Sequence, residues 1–170
     1  MVNVLRRTVA VWRRPAEEAH RTVGLQSYAT TPGRSRNMAA IRRRDTKPEV
    51  KLRSALHGLG FRFRKDYAIK VNGKVIRPDV AFTRHRIAVF IDGCFWHSCP
   101  KHGRKPSVNS DYWSPKLEGN ARRDLQQTCA LRAAGWVVLR FWEHEDLDSM
   151  VTQVSDLITS NINAAEKGFD

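Results

Sequence analysis

Apolar positions change their period several times along this chain, and each change marks an element. Leu52, Ala55, Leu56 and Leu59 recur at helical spacing behind Thr46-Lys47-Pro48-Glu49, which predicts a helix. In that tetrapeptide the threonine hydroxyl can serve the amide three residues on while the glutamate reaches back, a capping box, and Gly60 supplies the stop. Phe61 to Arg64 alternates as a strand does, and Asn72-Gly73 between Val71 and Val75 suits a tight hairpin. After Arg77-Pro78-Asp79, short strands are expected over Val80 to Phe82 and Ile87 to Ile91, with a turn at Thr83 to Arg86. The second of these is an almost unbroken apolar run, as suits a central strand buried on both faces.

Pro100, Gly103 and Pro106 make the next stretch irregular. A long helix is predicted from Ser110 to Ala134, with Leu117, Ala121, Leu125, Thr128 and Leu131 on one face, Cys129 as core, Pro115 near the first turn and Gly135 closing it. Trp136 to Trp142 reads as another buried strand. Met150 to about Asn161 reads as an amphipathic helix with Val151, Val154, Leu157 and Ile158 inward. The order of elements gives an α/β or α+β sandwich, a mixed central sheet flanked by helices.

At 170 residues and 19.5 kDa the chain is sized for one domain. Residues 1–33 differ in texture: Arg6, Arg7, Arg13, Arg14 and Arg21 punctuate scattered apolar positions. They read as a disordered or loosely helical basic extension, or equally as the product of a start codon placed too far upstream. A signal peptide would need a continuous apolar segment that is absent here, and Glu17 and Glu18 argue against a transit peptide. Residues 34–165 are then the folded domain and 166–170 a tail.

Charge narrows the partners. Thirty Lys and Arg against 17 Asp and Glu leave +13, with a pI near 10.4. Such an excess favours nucleic acid, whose phosphates are neutralised with release of counterions, ahead of an anionic membrane surface. No stretch has the roughly 20 apolar residues of a membrane-spanning helix. Three cysteines lie among histidines and acids, which points to metal or free thiols in a reducing cytoplasm.

Three chemistries follow. Cys94-x4-Cys99-x2-His102, with His144 just beyond the Trp136 to Trp142 strand, is a Cys2His2 set able to bind Zn2+. The plainer reading is a buried small Cys94 and solvated histidines. Asp79 at one strand's start, Asp92 at the end of its neighbour and Glu49 on the first helix could supply oxygens to Mg2+, with His97 accepting a proton from water. Singly, Pro78-Asp79 and Asp92-Gly93 are also turn dipeptides, and Glu49 a cap. Together, in so basic a chain, they favour phosphodiester hydrolysis. Finally, Phe95 and Trp96 are adjacent, with Tyr112 and Trp113 further on, so a loop could push a ring between bases. The alternative is that one ring packs on the metal loop and the other covers the core edge.

Arg34-Ser35-Arg36-Asn37-Met38, Asp45-Thr46-Lys47-Pro48-Glu49, Arg77-Pro78-Asp79, Phe90-Ile91-Asp92-Gly93-Cys94-Phe95-Trp96-His97 and the run Gly135 to His144 resemble the very short patch repair (Vsr) DNA mismatch endonucleases. The resemblance implies a restriction-endonuclease-like fold and nicking 5′ of the thymine in a T:G mismatch left by deaminated 5-methylcytosine. It implies that Asp79 and the Ile91 carbonyl bind Mg2+, that His97 activates water, and that Glu49 joins through water. Phe95, Trp96 and Trp113 would wedge into the duplex, and Cys94, Cys99, His102 and His144 would hold a structural Zn2+. Asp92 would bind metal or orient His97. The implied partners are mismatched double-stranded DNA, with mismatch-repair proteins and a repair polymerase as candidates, acted on by a monomer at the nucleoid. A restriction-type nuclease cutting both strands at a site and a zinc-stabilised DNA-binding module without catalysis remain as alternatives.

Overall fold

The computed structural model describes residues 32, 33, 36 and 44–166, except 105 and 108. All of these belong to one compact unit, Thr31–Asp170, of the two into which the chain divides. The extension expected over residues 1–33 and the tail expected over 166–170 lie almost wholly outside the described residues.

The elements run α1 (Lys47–Gly58), β1 (Ile69–Val71), β2 (Lys74–Ile76), β3 (Val80–Phe82), β4 (Ile87–Asp92), α2 (Ser110–Ala133), β5 (Val137–Trp142) and α3 (Leu147–Glu166). A three-stranded mixed sheet of order β3-β4-β5 forms the centre. β3 pairs antiparallel with β4, Val80 opposite Val89, and β4 pairs parallel with β5, Ile87 opposite Val137. β4 is therefore the inner strand, which is why its side chains are apolar on both faces. Ile87 and Val89 join Leu52, Leu56, Val80, Phe82, Phe141, Met150, Val154 and Ile158, so α1 and α3 cover one face. Ala88 and Phe90 join Leu131, Val138, Ile69, Val71 and Ile76, so α2 and the hairpin cover the other. The result is a mixed α/β sandwich.

Several local expectations shift. The hairpin forms with Asn72 and Gly73 both at positive φ, as a tight primed turn requires, but it makes its own two-stranded sheet instead of extending the central one. Phe61 to Arg64 is not a regular strand. One bridge joins Arg64 to Ala81, and the two phenylalanines pack edge-on against Phe82. At the start of α1 the Thr46 hydroxyl donates to Glu49 Oε1 at 2.8 Å instead of capping an amide, and Glu49 Oε2 accepts from the N–H of Asp45 at 2.9 Å. Asp45 sits at φ 53, and this left-handed turn brings its N–H, one residue earlier than expected, to the carboxylate.

On α2 the inward face is rotated from the one the apolar residues suggest. Leu117, Thr128 and Leu131 are buried, but Leu125 and Cys129 are exposed and Asp124 takes the inner position. β5 is an edge strand with Val137 exposed, not a fully buried one. Leu59 caps α1 in solvent. α3 is longer than its apolar stripe suggested, beginning at Leu147.

Candidate active site and metal centre

Antiparallel pairing carries the start of β3 and the end of β4 to the same edge of the sheet, so Asp79 lies beside Ile91 and near Asp92. The Ile91 N–H donates to Asp79 Oδ2 at 2.7 Å, which orients the carboxylate. Backbone direction alternates along a strand, so the Ile91 carbonyl points to the same side as its N–H, toward β3. Burial pushes the Asp79 carboxyl up to about 7 against the Ile91 hydrogen bond, and the charges of Glu49 and Asp92 add to the rise while Arg53 opposes it. Glu49 is buried, its Oε2 also taken by Arg53 at 3.3 Å, so its carboxylate is anchored beside Asp79 as well as serving the helix start.

His97 is reached by a tight turn after β4, with its N–H donating to the Gly93 carbonyl at 3.1 Å. Its Nδ1 lies 2.5 Å from Asp124 Oδ2 on α2 and 3.5 Å from Asp92 Oδ1. A carboxylate on Nδ1 assigns the proton to that nitrogen and leaves Nε2 as the acceptor. Burial works against the charged ring, but the Asp124 hydrogen bond and the charges of Asp92 and Asp124 outweigh it and raise the His97 pKa. Asp92 is buried and gripped by Arg140, whose Nε and Nη2 donate to its two oxygens at 2.7 and 2.6 Å. The same Nη2 stands 3.1 Å from Asp124 Oδ1.

Asp124, Arg140 and Glu143 were not singled out from the sequence. Apolar periodicity does not reveal Asp124, because the inner face that Leu117, Asn120, Asp124, Thr128 and Leu131 share is partly polar. Arg140 did leave a signal, being one charge inside the apolar run Val137-Val138-Leu139-Arg140-Phe141-Trp142. Glu143 leaves β5 and accepts the Cys94 N–H on Oε1 at 2.7 Å, while its own N–H donates to the Asp92 carbonyl at 3.0 Å.

Between His97 and α2 lies an aromatic group. Phe95 is 5.1 Å from Trp96 and 5.5 Å from Trp113, and Trp96 is 5.8 Å from Trp113, centroid to centroid. Lys116 lies over Trp96, Trp113 and Tyr112 at 5.2 to 5.7 Å. Asn120 Nδ2 donates to the Trp96 carbonyl at 2.9 Å and ties the loop to α2.

Behind the loop, donor atoms of Cys94, Cys99, His102 and His144 all lie within 4.8 Å of one another. Cys94 Sγ is 3.0 Å from His144 Nδ1 and 3.9 Å from His102 Nδ1, and Cys99 Sγ is 3.9 Å from His144 Nδ1. Tetrahedral zinc with Zn–S of about 2.3 Å and Zn–N of about 2.0–2.1 Å has donor-to-donor edges of roughly 3.3–3.8 Å, which the observed contacts of 3.0 and 3.9 Å bracket, so shifts of a few tenths of an ångström would suit this donor set to that ion. Gly103 closes the loop: a Cβ there would stand 2.5 Å from the Cys99 carbonyl oxygen. Among the described residues no helix is long and apolar enough to cross a membrane.

The sequence model described as DNA mismatch endonuclease Vsr matches residues 27–102. The chain is 53% identical over 139 residues to the type II nicking enzyme V.NaeI of Lentzea aerocolonigenes, covering 81% of each. It is 39% identical over 111 residues to the DNA mismatch endonuclease Vsr of Escherichia coli (strain K12), covering 65% of this chain and 69% of that one. The catalytic domain of homing endonuclease I-Bth0305I is a more distant likeness, at TM-score 0.47 and 16% identity over 69% of this chain and 99% of that one. A mixed α/β fold that gathers acids and a histidine at one sheet edge, in a chain with the nicking enzyme and the mismatch endonuclease as sequence relatives, is that of a DNA endonuclease. Within that class, the chain belongs to the Vsr family.

Proposed function

We propose that this endonuclease nicks one strand of double-stranded DNA on the 5′ side of the thymine in a T:G mismatch, using Mg2+ for catalysis and Zn2+ for structure. The observation that carries the proposal is the sharing of one loop: Cys94 and Cys99 belong to the metal set, Phe95 and Trp96 to the aromatic group, and His97 to the hydrolytic site.

Asp79 and the Ile91 carbonyl would hold Mg2+, and the fit rests on a carboxylate fixed by the Ile91 N–H, with Glu49 and Asp92 nearby, whose ionisation burial makes costly without a cation. Bound there, the ion would polarise a phosphoryl oxygen and make water easier to deprotonate. His97 Nε2 takes the proton from the attacking water, and Asp124 steadies the imidazolium that results. Glu49 acts from its anchored position through water, and Asp92 orients His97. Phe95, Trp96 and Trp113 enter the duplex. Unstacking a base step costs a few kcal/mol and costs least at a mismatch, which gives the rings a reason to select one. Zn2+ on Cys94, Cys99, His102 and His144 would hold the loop in place. The basic excess serves the phosphate backbone. We further assign residues 34–165 to the catalytic domain and expect a monomer at the nucleoid, working with mismatch-repair proteins and a repair polymerase.

The name of the V.NaeI relative favours a second reading, nicking at a site irrespective of mismatch. Labelled T:G and T:A duplexes in several flanking contexts separate the two. The proposal expects one labelled strand of T:G to be cut and T:A spared, and equal cutting of both duplexes would sink the mismatch claim.

A further inference from the structure

Arg140 is a charge in an apolar strand, and its Nη1 makes only two long contacts with α2, to the Asp124 carbonyl and the Thr128 hydroxyl, each at 3.5 Å. It stands opposite Phe90 on β4, its guanidinium 4.7 Å from that ring. Two of its nitrogens bind both oxygens of Asp92, and one of them also reaches Asp124. Asp124 and Asp92 in turn converge on a single atom, His97 Nδ1, at 2.5 and 3.5 Å. One guanidinium thus holds the two carboxylates that close on the imidazole. The donor atoms of Asp92, His97 and Asp124 lie within 4.8 Å of one another, close enough to gather a divalent cation if the guanidinium were absent. A planar fork is suited to preventing this, because two parallel hydrogen bonds occupy a carboxylate that a point charge would only neutralise.

We propose that Arg140 is a positioning residue of the reaction centre: it keeps a second divalent cation out of the Asp92, His97 and Asp124 group and keeps Asp124 on Nδ1 of His97. Nε2 then stays the nitrogen that accepts the proton. The proposal rests on His97 being the base in the reaction above, but not on which duplex is cut.

Arg140→Met keeps the stem over Phe90 and removes the fork, and Arg140→Lys restores charge without two-point geometry. Both are made in the full chain and assayed on whichever duplex the wild type nicks best. Three quantities are read: single-turnover nicking with DNA affinity, the ring 15N signals of His97, and Mn2+ stoichiometry without DNA. Arg140→Met is expected to nick about 100-fold more slowly at nearly unchanged affinity, and Arg140→Lys to recover only a minor part, in the range a misplaced general base costs. The His97 ring signals move, and one additional Mn2+ binds that Asp92→Asn in the same chain removes. Nicking by Arg140→Met within about fivefold of wild type overturns the proposal. So does a slow variant with unmoved His97 signals and no added Mn2+, which would mean a merely structural role. Should Arg140→Met not fold, the same readings on Arg140→Lys decide. Equal nicking of T:G and T:A by the wild type defeats the proposed function while leaving this comparison intact, and full activity of His97→Ala defeats the base assignment itself.

Discussion

Replacing Asp79 with asparagine removes the carboxylate to which the proposed reaction assigns Mg2+, yet it should make the protein more stable at neutral pH. Burial raises the Asp79 pKa from 3.8 to about 7. A raised acid binds its proton more tightly in the folded state, so its stabilising share is complete below the unfolded pKa and is lost as pH rises toward the folded one. Between pH 5 and pH 7 the loss runs over about two pH units at about 1.4 kcal/mol each, or about 3 kcal/mol, which residual water access lowers toward 2. Asparagine at this position does not titrate, so Asp79→Asn should gain on the wild type by about 2–3 kcal/mol between pH 5 and pH 8. Urea unfolding of both proteins in Mg2+-free buffer at several pH values measures it, and contributions common to both, those of the thiol and imidazole groups included, cancel in the difference. Mg2+ at ten times its dissociation constant should return about 1.4 kcal/mol to the wild type and nothing to the variant. Parallel pH dependences for the two proteins would refute the reasoning, because Asp79 would then carry no ionisation cost for a cation to relieve.

Purified protein should hold about one equivalent of zinc, and chelator or Cys94→Ser should lower the melting temperature, while Cys129→Ser on the exposed side of α2 leaves it unchanged. His97→Gln should slow nicking by about 10³ with DNA affinity retained in a gel-shift assay, and Asp124→Asn by a smaller factor of about 10–100, since it acts through the histidine. Leu56→Ala should cost about 2–5 kcal/mol in denaturant unfolding, whereas Leu125→Ala, at an apolar position of similar helical spacing, should cost under about 0.5.

The order of the three helices and the central strands, the hairpin turn and the buried central strand were readable in the chain, because period and turn chemistry are local properties. The loop Gly93 to Cys99 was legible for the same reason: its rings, thiols and histidine are contiguous. What contacts cross the fold was not. The inner face of α2 lies one residue away from the stripe its apolar side chains trace, because the inward Asn120 and Asp124 are polar and bond to the Trp96 carbonyl and to His97. Asp92 looked in sequence like the equal of Asp79, but parallel pairing of β4 with β5 sets Arg140 on its carboxylate, while Asp79 is left with an amide. Sequence therefore determined which groups the protein owns and the elements that carry them. Tertiary structure alone decided which acid an arginine neutralises, which is buried with only the Ile91 amide, and which nitrogen of His97 faces away from Asp124, since these depend on strand register and helix rotation between segments far apart in the chain.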